Sequence, residues 1–100
     1  MAKYFITWEV DPNRAPVDPK ERGAAWLMMA EMIKKDIQEG KTTDWGAIVG
    51  EGRGYSIGTG EQSLVDLSKD LQRYFPYVTF TVHQVMSVDE VIELSKSMMQ

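Results

Sequence analysis

The chain has 100 residues, of which 43% are hydrophobic and 26% charged, a composition typical of an ordinary globular domain. Its net charge of −4 argues against nucleic acid or an anionic membrane as a partner, because both require a basic surface. The absence of cysteine excludes thiol nucleophiles, disulfides and cysteine–metal sites. No apolar run approaches the roughly 20 residues needed to cross a bilayer. We therefore expect one cytoplasmic domain covering residues 1–100.

The first half of the chain predicts one strand and one helix. Lys3 to Val10 is rich in bulky β-prone residues, so we expect a strand there. Asp18 and Pro19 suit the N-cap and the first position of a helix, and Gly40 suits the position just after its end. The apolar residues of this helix recur at helical spacing: Trp26, Met29, Ala30, Ile33 and Ile37.

Two further strands and a second helix follow. Thr42 to Val49 and Tyr55 to Thr59 are expected to be strands joined by a glycine-rich turn, with Gly52 and Gly54 favouring a bulge. The second helix is predicted over Glu61 to Tyr74. Its apolar stripe consists of Leu64, Leu67, Leu71 and Tyr74.

A proline separates the second helix from a strictly alternating strand. Pro76 cannot continue the helix, since it has no backbone N–H and disfavours α conformation in the residue before it. In the strand that follows, side chains alternate between two faces: Val78, Phe80 and Val82 on one, Thr79, Thr81 and His83 on the other. Ser87 and Glu90 then form the pattern of a capping box, which predicts a third helix.

The resulting order, β-α-β-β-α-β plus a terminal helix, is that of the ferredoxin-like α+β fold. Such a sheet has strand order 4-1-3-2 with both crossover helices on one face. By parity, the other face receives residues of strands 1 and 4: Phe5, Thr7, Glu9, Thr79, Thr81, His83 and Val85. Strand 3 presents there either Ser56 or the set Arg53, Tyr55 and Ile57. This face is too apolar to remain fully exposed to water. We therefore expect a second copy of the chain to cover it, leaving a cavity between the two sheets.

Part of the chain resembles a known family. The segment Gly54-Tyr55-Ser56, followed by a helix and by the run from Phe75 to Val82, is similar to the second half of muconolactone isomerase, a member of the dimeric α/β-barrel superfamily. The resemblance implies a homodimer or larger assembly with a small-molecule site inside each barrel. It carries over no catalytic residue by position, because this chain has Phe5 and Thr7 where that family has basic side chains.

Four polar side chains are the candidate site residues. His83, the only histidine, could act as a general base, bind a haem iron, or be a hydrogen-bonded structural residue. Glu9 could accept a proton if shielded from water, or be solvated at the strand edge. Arg53 could hold a substrate carboxylate as a planar fork, with Tyr55 beside it, or simply be exposed. One histidine and no cysteine make a metal site improbable, and no cofactor is indicated.

Two classes of function are consistent with these residues. One is an isomerase or cofactor-independent oxygenase acting on a small anionic or aromatic compound, with His83 or Glu9 moving a proton and Arg53 or Tyr55 holding the substrate. The other is a non-catalytic ligand-binding or assembly module. The lack of a convergent acid–base pair favours the module slightly. Trp8 and Trp45 could line a pocket for a planar ligand, although packing is the simpler interpretation.

Overall fold

The computed structural model describes residues 2–60 and 63–100 and has the ferredoxin-like α+β fold predicted from the element order. Its elements are β1 (Ala2–Val10), α1 (Pro19–Gln38), β2 (Thr42–Ala47), β3 (Arg53–Gly60), α2 (Leu64–Gln72), β4 (Val78–Val85) and α3 (Val88–Met98). The four strands form one antiparallel sheet in the order β2-β3-β1-β4, which confirms the predicted topology.

The register of the sheet sorts side chains onto two faces. Thr7 of β1 pairs with Tyr55 on one side and with Thr81 on the other, so the three share a face. This resolves the alternative left open for β3: Tyr55 and its odd-numbered neighbours lie with the threonines of β4, whereas Ser56 lies on the opposite face. The predicted alternation of β4 is confirmed as well.

The two crossover helices cover the face formed by the even-numbered residues of β1. Trp8, Tyr74 and Val78 form the buried cluster, and Trp26 and Met29 of α1 pack against it. The proposed ends of α1 are confirmed: Pro19 is its first residue, and Gly40 follows its C-cap at φ +78°, where a side chain would be strained. Asp18 occupies the N-cap, but its side chain makes no capping hydrogen bond.

Several sequence expectations differ from the structure. α2 ends at Gln72 and not at Tyr74, with Arg73 as its C-cap, and β3 already begins at Arg53. β2 ends at Ala47, two residues early, because the hairpin turn begins there and leaves Val49 almost fully exposed. α2 begins at Leu64, since the hydroxyl of Ser63 accepts a hydrogen bond from the N–H of Asp66 and caps the helix. The predicted start at Glu61 lies outside the described residues. The bulge lies in β2, between Thr42 and Asp44, and not at the glycines of β3.

The terminal helix α3 projects from the rest of the molecule. Its capping box is formed as predicted, yet every residue from Val88 to Met98 is exposed. The molecule measures 61 × 25 × 21 Å and its radius of gyration is 16.3 Å, whereas a compact chain of this length has about 13 Å. Within residues 2–60 and 63–100, no helix is both long enough and apolar enough to span a membrane.

Candidate functional site

The sheet face that the helices leave uncovered, here called the open face, carries all four predicted site residues. Its members come from four strands: Phe5, Thr7 and Glu9; Asp44 and Gly46; Arg53, Tyr55 and Ile57; Thr79, Thr81, His83 and Val85. None of these side chains is buried, and Phe5, at its centre, is 38% exposed. The single chain thus presents a mixed apolar and polar surface to solvent.

Phe5 brings two of the predicted residues together. Its ring stacks on that of Tyr55 with the centroids 6.4 Å apart, and the ring of His83 lies 6.5 Å away on the other side. This arrangement follows from the register, because β1 lies between β3 and β4 and Phe5 pairs directly with His83. A histidine and a phenol therefore flank one aromatic ring, and a ligand lying on Phe5 would meet both.

The hydroxyl of Tyr55 is fixed by a neighbour that the sequence did not indicate. It donates a hydrogen bond of 3.0 Å to Oδ2 of Asp44, and this bond raises the pKa of the Tyr55 hydroxyl. The ring can lie over β2 because residue 46 is glycine: a Cβ there would be 2.5 Å from Cε1 of Tyr55. The phenol is thereby held neutral and oriented, with its oxygen still able to accept a hydrogen bond.

The other two predicted residues lie at the far end of the open face. Glu9 is four residues from Phe5, about 13 Å along the strand, and pairs in register with Arg53. The guanidinium of Arg53 is 2.8 Å from the carboxylate of Glu51 in the hairpin turn, and both side chains are exposed. Glu9 and His83 therefore do not converge. The structure groups Tyr55 with His83, and Glu9 with Arg53.

A second candidate site lies on the opposite face, between the sheet and the two crossover helices. It is a cavity of about 100 Å³, here called the helix-side cavity, with predominantly apolar walls. All three tryptophans of the chain line it. Trp8 stacks on Trp45 with ring centroids 5.2 Å apart and meets the edge of Trp26 at 6.0 Å. Trp45 thus both packs against Trp8 and forms a wall of this cavity.

One polar group in the wall of the helix-side cavity has no hydrogen-bond partner within the described part of the chain. Tyr74 is 8% exposed, and its hydroxyl is fully buried and unpaired. Burial raises the pKa of this hydroxyl, with the nearby Arg73 acting in the opposite direction. A buried unpaired hydroxyl costs free energy, so its presence in a predominantly apolar wall calls for an explanation.

A charged pair holds Tyr74 in place. The guanidinium of Arg73 lies 5.3 Å from the centroid of the Tyr74 ring and 2.7 Å from a carboxylate oxygen of Asp36 on α1. Both charged side chains also line the cavity, and the Asp36 side chain is only 14% exposed. The end of α2 is thereby tied to α1 across the cavity, and the ring that carries the unpaired hydroxyl is clamped on one side.

Sequence reasoning missed the helix-side cavity as a site. Tyr74 was assigned to the apolar stripe of α2, but the helix ends at Gln72 and Tyr74 lies in the turn that follows. It still lines the cavity beside Leu67 and Leu71, whose positions in the stripe are confirmed. Leu64, from the same predicted stripe, is 70% exposed instead, because it is the first residue of a helix that begins later than expected. A tyrosine at the end of a leucine stripe was the available signal, since a phenol in a core position needs a partner.

No protein-family model matches this chain, and no curated protein sequence matches it. Among residues 2–60 and 63–100, no cluster of three or more histidine, aspartate or glutamate side chains is arranged to hold a metal ion. The open face and the helix-side cavity therefore carry the functional inference.

Proposed function

We propose that this protein binds a small, neutral, largely apolar molecule in the helix-side cavity, with the hydroxyl of Tyr74 donating a hydrogen bond to an oxygen or nitrogen of the ligand. The observation that carries this proposal is the buried, unpaired hydroxyl of Tyr74 beside a predominantly apolar cavity. Because this oxygen has no exposed surface in the free protein, the side chain must shift for a ligand to reach it. A largely apolar pocket with a few placed polar groups is the usual form of a small-molecule site. A ligand acceptor would satisfy the one buried side-chain polar group that has no partner among residues 2–60 and 63–100.

The cavity restricts the ligand in size and charge. Its volume of about 100 Å³ is less than the roughly 150 Å³ of an engineered protein cavity that binds benzene, so a five-membered ring is a suitable size. Arg73 and Lys41, cations that line the cavity, are already paired with Asp36 at 2.7 Å and with Glu39 at 3.5 Å. A carboxylate on the ligand would have to compete with those pairs, whereas a carbonyl oxygen would not. A neutral cyclic carbonyl compound therefore fits best.

A matched pair of probes tests this site. Cyclopentanone has the acceptor and cyclopentane lacks it, and binding of either is read from tryptophan fluorescence because every tryptophan lines the cavity. We expect the wild type to bind cyclopentanone, and Tyr74→Phe to bind it about fivefold to tenfold more weakly, the value of one hydrogen bond. Affinity for cyclopentane should be unchanged.

The control is Tyr77→Phe, because Tyr77 is 55% exposed and lies outside the cavity lining. It should bind cyclopentanone as the wild type does. Equal affinity of the wild type and Tyr74→Phe for cyclopentanone would contradict a role for the hydroxyl, and no fluorescence change with either probe would contradict the site itself.

A second candidate function is proton transfer on the open face. It is favoured by the placement of His83 and Tyr55 on either side of Phe5, since histidine exchanges protons near neutral pH and the Asp44-held phenol can orient an oxygen of the ligand. This is the isomerase or cofactor-independent oxygenase expected from the sequence, with Arg53 as the cation for an anionic substrate. Glu9 is about 13 Å along the strand from Phe5 and pairs with Arg53, so it would act only at that end of the open face.

Ligand screening by thermal shift distinguishes this second candidate from the first. Small aromatic or lactone carboxylates should raise the unfolding temperature of the wild type through mass action, and raise that of His83→Ala and Arg53→Ala less. Tyr74→Phe should respond like the wild type, since Tyr74 is on the opposite face. If His83→Ala and Arg53→Ala respond fully, the open face is not a substrate site.

We also propose that the protein acts as a homodimer in the cytoplasm, as a muconolactone isomerase-like dimeric α/β barrel in which two open faces pack together. Thr81 pairs with Thr7 at the middle of the open face. Thr81→Arg would bury an unpaired charge between the sheets, so it should shift the wild-type dimer to monomer in sedimentation velocity at micromolar concentration. Gln38→Arg, which adds the same charge to the exposed end of α1, should remain dimeric. A monomeric wild type would refute the dimer.

A further inference from the structure

We infer that α3 is an arm that packs on a second copy of this chain. The inference rests on the proposed homodimer and specifies a part of it that the sheet contact does not require. Its starting point is the exposure of every residue from Val88 to Met98, in a helix whose apolar residues form one stripe. The stripe consists of Val88, Val91, Ile92, Leu94 and Met98.

A helix of this length needs a partner surface. α3 has 11 residues, and isolated helices shorter than about 12–15 residues are marginally stable in water. Its capping box, formed by Ser87 and Glu90, contributes to the first turn only. An exposed apolar stripe promotes aggregation unless another surface covers it. Since this stripe does not pack on its own chain, it needs such a surface.

Its own chain does not provide that surface. Only Met86 and Ser87 separate α3 from β4, so the body of the same chain is always within reach at a high local concentration. Every residue of the helix is nevertheless exposed, and the molecule is elongated, at 61 × 25 × 21 Å. The covering surface therefore belongs to another molecule.

The surface area of the chain is large enough for that molecule to be a second copy. The solvent-accessible area is 7540 Å², whereas a compact monomer of this mass has about 5,800 Å². The excess of about 1,700 Å² exceeds the roughly 800 Å² that each partner buries in a standard interface. A symmetric dimer with two exchanged arms and two facing sheets would bury this excess reciprocally, because the same patches meet twice.

Hydrogen exchange and sedimentation test the arm. In the wild type, the backbone amides of residues 91–98 should become at least tenfold better protected as the concentration rises from the monomer to the dimer range. Ile92→Lys, in the apolar stripe, should raise the dimer dissociation constant at least tenfold. Glu93→Lys, next to it on the exposed polar side, is the matched control and should change that constant by less than threefold.

The outcomes separate the arm from the dimer. A wild type that dimerises while α3 stays unprotected would overturn the arm and leave the sheet-to-sheet dimer standing, and so would an Ile92→Lys dimer as tight as the wild type. Protection of α3 that does not depend on concentration would show that the helix folds back on its own chain, which also overturns the inference. A wild type that is monomeric throughout would overturn both proposals.

Discussion

The hydroxyl of Tyr55 reaches from β3 to Oδ2 of Asp44 on β2, at 3.0 Å, across the surface of Gly46. The bond links the outermost strand to the centre of the open face, because the same tyrosine ring stacks on Phe5. Three strands are thereby tied together by one side chain, and two measurable consequences follow from its geometry.

The first concerns the ionisation of Tyr55. Because the carboxylate of Asp44 accepts a hydrogen bond from the protonated phenol, the pKa of Tyr55 is raised, and Asp44→Asn should lower it towards the ordinary value of about 10. The ultraviolet absorbance of tyrosinate, recorded against pH, measures this change. Tyr55→Phe identifies which of the titrating phenols is responsible. An identical titration curve for Asp44→Asn and the wild type would show that the bond is absent in solution.

The second concerns the glycine beneath the ring. Gly46→Ala would place a Cβ 2.5 Å from Cε1 of Tyr55, so the ring must move and lose its contact with Asp44. We expect a loss of about 1 kcal/mol in the free energy of unfolding, as for other overpacked sites. Gly23→Ala is the control, because that position in α1 has open space around it and alanine favours a helix; it should gain about 0.5–1 kcal/mol. Chemical denaturation measures both values.

Tyr74→Phe should stabilise the protein in the absence of ligand. The substitution removes a buried hydroxyl that has no partner among the described residues, so no hydrogen bond is lost and a gain of about 1 kcal/mol is expected. The pKa of this phenol is raised in the folded state, so the wild type keeps its full stability below pH 10 and loses part of it as the pH rises further. The advantage of Tyr74→Phe should therefore widen above pH 10. Tyr77→Phe should show neither effect.

The contact between Arg73 and Asp36 should contribute to stability. The pair is partly buried, at 2.7 Å, and it is the link between the end of α2 and α1. A double-mutant cycle with Arg73→Met and Asp36→Asn should give a coupling free energy of about 1 kcal/mol, at the upper end of values for exposed pairs. Arg14 and Asp11, an exposed pair at 3.6 Å, provide the comparison. Their coupling free energy should be only a few tenths of a kcal/mol. Additive effects at Arg73 and Asp36 would contradict this view.

The stability of α3 should depend on pH through Glu90. The backbone N–H of Ser87 donates to its carboxylate at 3.1 Å, which lowers the pKa of Glu90. The stabilising effect is thus complete above the ordinary glutamate pKa of about 4.3 and is lost as the pH falls through the lowered value.

Hydrogen exchange in α3 measures this effect directly, since global unfolding would report on the rest of the molecule. Protection should fall below about pH 4 in the wild type, more than in Glu90→Gln, once the intrinsic pH dependence of exchange is corrected for. Ser87→Ala should cost about 1 kcal/mol of local stability at neutral pH. Ser97→Ala, near the other end of the helix, should have a smaller effect.

The sequence predicted most of the fold because local signals agreed with one another. Pro19 and Gly40 marked the ends of α1, the Ser87–Glu90 pair marked the start of α3, and the alternation in β4 sorted its side chains correctly. The register of β2 was not predictable in the same way. Its bulge lies between Thr42 and Asp44, where no glycine or proline in the sequence indicates a bulge.

The candidate sites were only partly predictable, for a geometric reason. Residues of matching parity on neighbouring strands share a face, so the grouping of Tyr55, Phe5 and His83 could be reached from strand order. The approach of Tyr74 and Arg73 to Asp36 depends on how α2 lies against α1, and no periodicity within either helix contains that information. Helix-side cavities are therefore harder to find from sequence than sheet-face clusters.

The bulge in β2 also bears on how this protein would aggregate. β2 and β4 are the two outer strands, and an added strand needs an unbroken row of backbone donors and acceptors. β2 has six residues and a bulge, whereas β4 offers eight residues in regular alternation. A fibril needs two such edges on every molecule, one to receive and one to extend. The described part of the chain has only one regular edge, that of β4. Once two chains pair through their β4 strands, neither has a regular edge left, so strand addition should end at a dimer.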